Sequence, residues 1–371
     1  MKHLIASRYL MPLLCLTLLL FSCKKDIEEI EADPVVAWKV HDQFLHYNRY
    51  IANLYSATDK LQVLGMDFLS TISMEGGREK VIHYPHYFKN VSHHKHPISS
   101  RIFGGTDGNY LHLRSVNNPL HSGTYLALDV AKLDPQFRGF SLAAMKLNES
   151  FAISENHVAL VPYTYLNEDT GRHGLRYLLV KLAVETNHFG DDRIVLEEML
   201  VLTPAEVGGK VLHMRSHGNN FYVGTDWGFY KITEDGEINY QMPKEVGVTS
   251  FEHKGNIYSI VSNWEKQTVS LMRSISDQTW SLDAQLTDAP GRLSYYAISD
   301  DILLASYYSQ IFTIELGIDK LLIRELDNTG LEGHFITSIA KVGSKVYIGT
   351  QSGLFSKEAE HLLTYKEEEK K

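Results

Sequence analysis

Histidine is the residue type whose clustering in this chain most suggests reactive chemistry. Neutral imidazole is a common ligand of transition metals. The histidine-rich stretch, residues 83–96, contains Pro85 and is followed directly by Pro97. It has no His-Glu-x-x-His pattern, which would place two imidazoles on one side of a zinc ion. We therefore interpret it as a solvated loop and predict no metal site and no other cofactor. The histidines within these fourteen residues are His83, His86, His93, His94 and His96.

Acidic residues are the second candidates, since the chain holds 45 Asp and Glu. Adjacent pairs such as Asp191-Asp192 lie where a strand is expected, and neighbouring strand residues point to opposite faces, so they cannot converge on one bond. The chain has no Gly-x-Ser-x-Gly elbow, and the glycines around Thr106 lack the spacing of a phosphate-binding loop. We predict no catalytic residue, and an enzyme is not the class we expect.

The two cysteines both lie near the N-terminus, at Cys15 and Cys23. Disulfides, thiol nucleophiles and thiolate metal sites are therefore excluded from the rest of the chain. Lys2 and Arg8 precede an apolar run that is too short to span a bilayer, an arrangement typical of a signal peptide. We predict that residues 1–22 are removed as such a peptide.

The segment Leu20-Phe21-Ser22-Cys23 resembles the lipobox of bacterial lipoproteins. The resemblance implies that Cys23 is lipidated and becomes the first residue; an ordinary secretory signal with an incidental cysteine is the alternative. Residues 23–34 are polar and acidic, as in a solvated tether, and such a run also resembles signals that send some lipoproteins to the cell surface. We expect a lipid-anchored protein of the outer membrane, facing the cell surface or the periplasm.

The formal net charge of −9 bears on partners. An acidic surface repels phosphate backbones and anionic headgroups. We therefore expect no nucleic-acid partner, and membrane contact through the lipid anchor alone.

Three stretches of the chain align without gaps, beginning at Ile51, Val211 and Ile336. Each has short apolar runs separated by turns rich in Gly, Asn, Asp and Ser, which is typical of strands and hairpins. The spacings correspond to whole numbers of units of roughly 40 residues, the period of propeller blades. With weaker copies, units begin near residues 51, 92, 149, 211, 248, 293 and 336. The sequence predicts an all-β fold, a β-propeller of seven four-stranded blades over residues 35–365, with a charged tail at 366–371.

Residues 346–355, and their echo at residues 221–229, resemble the repeat of the two-component-regulator type of β-propeller. Blades of that family carry a strand, Gly-Thr, two residues, Gly-Leu and the next strand. The glycine permits a positive φ in a tight turn, and the threonine can hydrogen-bond the turn backbone. The resemblance implies a sensor ectodomain, a scaffold or a binding module, and implies no particular activity.

Propeller geometry locates a candidate site. Turns between the second and third strands of the blades gather around one mouth of the central channel, where ligands commonly bind. Here these turns carry aromatic and acidic side chains, which can stack on sugar rings or anchor a protein partner. The alternative is that the aromatic rings wedge between neighbouring blades. The predicted ligand-binding residues are Asp107, Asp226, Trp227, Trp264 and Tyr308.

Two functional classes follow. The first, which we expect, is a lipid-anchored cell-envelope propeller that binds a glycan or protein ligand without catalysis. The second is a propeller-type glycan hydrolase or lyase, whose two carboxylates would come from separate blades about 5 to 9.5 Å apart. A subunit of an outer-membrane assembly is a further alternative, which a large apolar patch on the propeller flank would indicate.

The sequence offers two segments that can supply the outer strand of the last blade and so close the ring. They are residues 35–40 and residues 361–365. Use of the early segment would join the two chain ends and leave no blade edge open to mispairing.

Overall fold

The computed structural model describes residues 35–44, 50–57, 60–65, 68–75, 78–84, 93–97, 102–115, 125–141, 150–204, 209–243, 245–263, 265–266, 268–276, 279–286, 293–299, 302–316 and 323–366. Val36–Lys371 form one compact unit, which contains every strand described. The predicted signal peptide, the tether with Cys23, and all of the predicted tail except Lys366 lie outside the described residues. Within them, no helix is long and apolar enough to cross a bilayer.

The described chain is built almost entirely of short β-strands. The first fourteen are β1 (Lys39–Val40), β2 (Ile51–Ala57), β3 (Lys60–Gly65), β4 (Leu69–Glu75), β5 (Arg78–Tyr84), β6 (His93–Pro97), β7 (Ile102–Asp107), β8 (Tyr110–Ser115), β9 (Tyr125–Asp129), β10 (Phe137–Phe140), β11 (Ala152–Ile153), β12 (Val158–Asn167), β13 (Arg172–Thr186) and β14 (Asp192–Leu202). The others are β15 (Val211–His217), β16 (Asn220–Thr225), β17 (Gly228–Thr233), β18 (Ile238–Pro243), β19 (Val246–His253), β20 (Asn256–Asn263), β21 (Thr268–Ser276), β22 (Thr279–Leu286), β23 (Ser294–Ser299), β24 (Ile302–Tyr307), β25 (Gln310–Glu315), β26 (Ile323–Glu325), β27 (Ile336–Val342), β28 (Lys345–Thr350) and β29 (Gly353–Glu358).

These strands form seven antiparallel sheets, each a propeller blade. Blades 1, 2, 4, 5 and 6 are four consecutive strands each, namely β2–β5, β6–β9, β15–β18, β19–β22 and β23–β26. We name the strands A to D from the centre outward. The turns from B to C and the loops from D to the next A share one side of the ring, the BC face; the turns from A to B and from C to D share the opposite side, the CD face. The predicted all-β propeller of seven four-stranded blades is confirmed.

Blade 3 departs from the regular pattern, because its inner strand is in two pieces. Strands β10 and β11 both pair with β12, along the same edge. The amide of Ser141 continues this pairing by donating to the carbonyl of Pro162 at 2.9 Å. The blade therefore begins at Phe137, earlier than the start near residue 149 that the repeat predicts.

Both faces of a blade are buried against neighbours, which explains why its strands are apolar throughout instead of alternating. In β16, Phe221 and Val223 join an apolar cluster with blade 3. Tyr222, between them, joins another with Val261 of blade 5. The core is thus a series of layers between blades.

The histidine-rich stretch was expected to be a loop, and this was wrong for its described parts: His93–Pro97 is the inner strand of blade 2, and His83 lies in β5. The Nδ1 atom of His83 is 2.7 Å from Ser70 Oγ. The C-terminal segment contains a 3-10 turn, Ala359–His361, and a four-residue helix, α1 (Val130–Leu133), lies between β9 and β10. Strand pairing with neighbours decides the conformation of the described histidine-rich residues, and local patterns do not report such pairing.

The ring is closed by the N-terminal strand. Strand β1 pairs with β29 and becomes the outer strand of blade 7. The C-terminal segment instead pairs with the edge of blade 6, where Tyr365 bridges Leu326 and the amide of Lys366 donates to the carbonyl of Glu325. Of the two segments that could close the ring, the early one does so.

A polar cluster joins blade 7 to blade 1. The carboxylate of Glu79 on β5 accepts hydrogen bonds from Lys345 Nζ at 2.8 Å and from the Tyr347 hydroxyl at 2.7 Å. His41 Nε2, just after β1, lies 2.9 Å from the same carboxylate. Burial alone would raise the pKa of Glu79, but its hydrogen bonds with Lys345, Tyr347 and His41 lower it to about 2.

We expect Glu79→Gln to lower the free energy of unfolding by about 2 kcal/mol at neutral pH. Glu79 ionises more readily in the folded chain than in the unfolded one, where its pKa is 4.5. Its stabilisation is therefore present above that pH and is lost as the pH falls toward about 2. Urea unfolding should show the parent and the variant converging between these values. Glu360→Gln, at an exposed carboxyl, is the control, and a difference independent of pH would contradict the prediction.

We expect deletion of residues 35–45 to lower the melting temperature by at least about 5 °C, because it removes the outer strand of blade 7 and the buried Trp38. Differential scanning calorimetry measures the change. Removal of residues 367–371 is the control. An unchanged melting temperature after the first deletion would show that β1 does not hold the ring.

Candidate functional site

The BC face is assembled by main-chain hydrogen bonds between loops of the same and of neighbouring blades. In blade 4 the amide of Asp226 donates to the carbonyl of Lys210 at 3.2 Å. In blade 7 the amide of Gln351 donates to the carbonyl of Phe335 at 3.0 Å. The carbonyl of Tyr308 in blade 6 accepts from Ile336, the first residue of blade 7, at 2.9 Å. Side chains on these turns therefore stand on a fixed backbone.

The turn that carries Trp227 is organised by the buried hydroxyl of Thr225. This Oγ1 accepts from the amides of Trp227 at 3.3 Å and Gly228 at 3.2 Å, and donates to the carbonyl of Gly228 at 3.1 Å. The Tyr240 hydroxyl donates to the Trp227 carbonyl at 2.9 Å. The indole is nonetheless 63% exposed. It projects from a rigid turn and does not wedge between blades.

Blade 7 repeats this turn with a different side chain on display. Thr350 Oγ1 accepts from the amide of Ser352 at 3.0 Å and donates to the carbonyl of Gly353 at 2.9 Å. Gly353 has a φ of +146°, which favours glycine. The same local chemistry thus presents a tryptophan in blade 4 and a serine in blade 7, so the turn is structural and the variable residue is free to serve recognition.

Asp226 precedes Trp227 and shares its exposure to solvent. Its carboxylate lies over Gly209, where any side chain would collide with it. Partial burial raises the pKa of Asp226, although hydrogen bonds from the backbone oppose that effect. A carboxylate beside an exposed indole can accept hydrogen bonds from a ligand that stacks on the ring.

A second aromatic group lies at the junction of blades 6 and 7. Tyr308 is 56% exposed, and its φ of +52° is unusual for a bulky residue. Its ring centroid lies 4.5 Å from that of Tyr307 and 5.4 Å from that of Phe335, both in edge-to-face arrangements. Phe335, in the loop before β27, is also exposed. These rings form a second apolar surface on the BC face.

Of the two remaining predicted residues, the structure describes Asp107 but not Trp264. Asp107 is half-buried at the end of β7, opposite Tyr110 in the pairing with β8. Trp264 lies outside the described residues. The adjacent Asn263 is buried, donating to Glu245 Oε1 at 2.9 Å and accepting from the amide of Lys266 at 2.9 Å.

The structure brings Asp226 and Trp227 together on one turn. Two blades away, it brings Tyr308, on the turn between β24 and β25, beside Phe335, in the loop before β27. Sequence reasoning missed Phe335 and Tyr240. The first occupies the place just before strand A, as Lys210 does in blade 4, so the repeat could have indicated it. The contact of Tyr240 with Trp227 depends on strand register and left no local signal.

Two other perturbed carboxyl groups are held by internal bonds. Burial would raise the pKa of Asp134, but hydrogen bonds from Tyr163 at 2.7 Å, from Arg176 at 2.7 Å and from the amide of Gln136 lower it. Glu79 is held in the ring-closing cluster. Within the described ranges, no group of three or more His, Cys, Asp or Glu is placed to hold a metal ion.

Solved structures match the fold over most of the chain. Virginiamycin B lyase from Staphylococcus aureus aligns with 84% of this chain and 95% of its own, at a TM-score of 0.52 and 10% identity. PorZ of Porphyromonas gingivalis, described as an essential bacterial surface component of the type-IX secretion system, aligns with 87% of this chain at a TM-score of 0.49 and 10% identity. The alignment spans 38% of PorZ. AztD from Citrobacter koseri aligns with 85% of this chain and 85% of its own, at a TM-score of 0.43 and 12% identity.

At these identities the similarity shows the propeller fold and no more. No protein-family model matches the sequence, and no curated protein matches it significantly.

We expect Thr225→Val to lower the free energy of unfolding by about 1 to 3 kcal/mol, because the isosteric valine leaves buried amides of the Trp227 turn without an acceptor. Urea unfolding measures the change. Thr170→Val, in the exposed hairpin between β12 and β13, is the matched control and should change stability by less than about 0.5 kcal/mol. Equal effects of the two substitutions would show that the Thr225 hydroxyl does not organise the turn.

Proposed function

We propose that this chain is a non-catalytic binding module of the bacterial cell envelope, anchored through lipid on Cys23, that recognises a glycan or protein ligand with the exposed aromatic residues of its BC face. The observation that carries the proposal is the exposure of Trp227 and Tyr308 on backbones fixed by hydrogen bonds. A rigid, exposed ring offers contact area at little entropic cost, which is the property of a recognition anchor.

Two carboxyl groups with perturbed pKa values are occupied by contacts within the fold. Catalytic acids have perturbed pKa values and face the substrate. Glu79 and Asp134 have lowered pKa values, but the contacts of Glu79 join blade 1 to blade 7 and those of Asp134 fix the start of blade 3 onto β12 and β13. Asp226, whose pKa is raised by burial, stands beside the exposed Trp227, where it supplies a hydrogen-bond acceptor next to a stacking surface.

Glycan-array binding and partner capture by the soluble form beginning at Lys24 test the proposal. We expect Trp227→Ala and Tyr308→Ala each to weaken binding by about thirtyfold or more, since an aromatic anchor contributes at least about 2 kcal/mol. Phe189→Ala is the matched control, because Phe189 is 78% exposed but lies in the hairpin between β13 and β14 on the CD face.

Undiminished binding by both BC-face variants would refute the aromatic site. The anchor is tested separately with Cys23→Ser, which we expect to abolish membrane association. Detergent partitioning measures that change.

A further inference from the structure

A groove runs down the flank of the ring between blades 3 and 4. One wall is the end of β14, from Val201 to Thr203, and the other is the hairpin of β17 and β18. The groove has a volume of about 510 Å³, within the range of sites that hold a side chain or small ligand. Its residues are Val201, Leu202, Thr203, Tyr230, Gly236, Ile238 and Tyr240.

The floor of the groove is apolar and firmly packed. Leu202 and Ile238 pack against the core shared by blades 3 and 4, to which the buried Tyr230 belongs. At one end the walls almost meet, because a Cβ atom added at Gly236 would lie 2.9 Å from Leu202 Cδ2. The floor can therefore receive an apolar group without rearrangement of the core.

The end of the groove nearest the CD face carries negative charge. Lys181 Nζ lies 2.9 Å from Glu198 Oε2 and 3.7 Å from Asp235 Oδ1, which links the two walls. At this end of the groove two carboxylates, those of Glu198 and Asp235, therefore stand against one ammonium. This rim attracts a positively charged group from a ligand.

The other end opens beside Trp227, whose carbonyl accepts the Tyr240 hydroxyl bond. Val201 on the opposite wall is 44% exposed. Strands β14 and β18 are each the outermost described strand of their sheets. Such edges can pair with an extended peptide through main-chain hydrogen bonds.

We propose that the groove binds an extended segment of a protein partner in which an apolar side chain is followed by lysine or arginine. The apolar side chain occupies the floor between Leu202 and Tyr240, and the cation lies on the acidic rim around Glu198 and Asp235. The groove rests on residues other than Tyr308 and Phe335, so it can hold even if the aromatic surface of the BC face does not bind a ligand.

Fluorescence anisotropy tests this with the soluble chain and three fluorescein-labelled nonapeptides. The first alternates Leu and Lys, the second has Ser in place of Leu, and the third has Glu in place of Lys. We expect binding of the first alone at about 150 mM salt, where long-range attraction is screened. Equal binding of the Ser-Lys peptide would show that charge alone drives the interaction and would overturn the proposal. Equal binding of the peptide with Glu in place of Lys would overturn it as well, because the cation would then be dispensable.

Matched variants locate the interaction. We expect Val201→Arg to weaken binding of the Leu-Lys peptide about tenfold, while Leu282→Arg leaves it unchanged, since Leu282 is 59% exposed on the outer strand of blade 5. We expect Asp235→Lys to weaken binding several-fold and the distant Glu360→Lys to have no effect.

Equal losses in the groove variants and their controls would place the peptide elsewhere. Circular dichroism verifies that all four variants fold. Tyr308→Ala should bind the peptide as the parent does, which separates this result from the test of the aromatic face.

Discussion

The joint between the first and last blades is the contact on which the rest of the ring depends. Each blade has two apolar faces, and each face needs a neighbour to keep it from water. Consecutive blades meet because the chain leads from one to the next, but Lys345 and Glu79, which meet at the joint, are 266 positions apart. Ordering so long a loop costs entropy. Strand β1 and the cluster around Glu79 offset that cost together, one with backbone pairing and the other with charge-assisted hydrogen bonds.

In the closed ring, the side chains at the tips of the BC turns are not needed to hold the fold. Their backbones are held by threonine hydroxyls and by bonds to the preceding loops, so a side chain at the tip changes little in the fold. Blade 4 shows a tryptophan there and blade 7 a serine on nearly the same turn. A rigid scaffold with variable tips is the arrangement in which loops acquire binding roles.

The parts of the fold that sequence reasoning could predict are those set by local physics. The Gly-Thr turns follow from glycine torsions and a threonine hydroxyl within three residues, and their recurrence revealed the blades. The divided inner strand of blade 3 depends on pairing between Phe137–Phe140 and distant residues of β12, which no local pattern reports. Exposure was equally hidden: Trp227 is open to solvent while Tyr230, three residues on, is buried, and only the neighbouring blade decides the difference. Trp227 and Tyr308 could therefore be named from the sequence, but their accessibility could not, and Phe335 and Tyr240 were missed.

Blade 3 also explains why one junction of the ring differs from its equivalents. Strand β13 has 15 residues, whereas its counterpart β17 in blade 4 has six. The end of the long β14 forms one wall of the groove, and the shorter β17–β18 hairpin forms the other. In a ring of similar blades, identical junctions would offer a partner seven equivalent sites of low selectivity. The enlarged blade 3 makes its junction with blade 4 unlike one between blades of regular size, which favours selective binding there because specificity is a difference between competing sites.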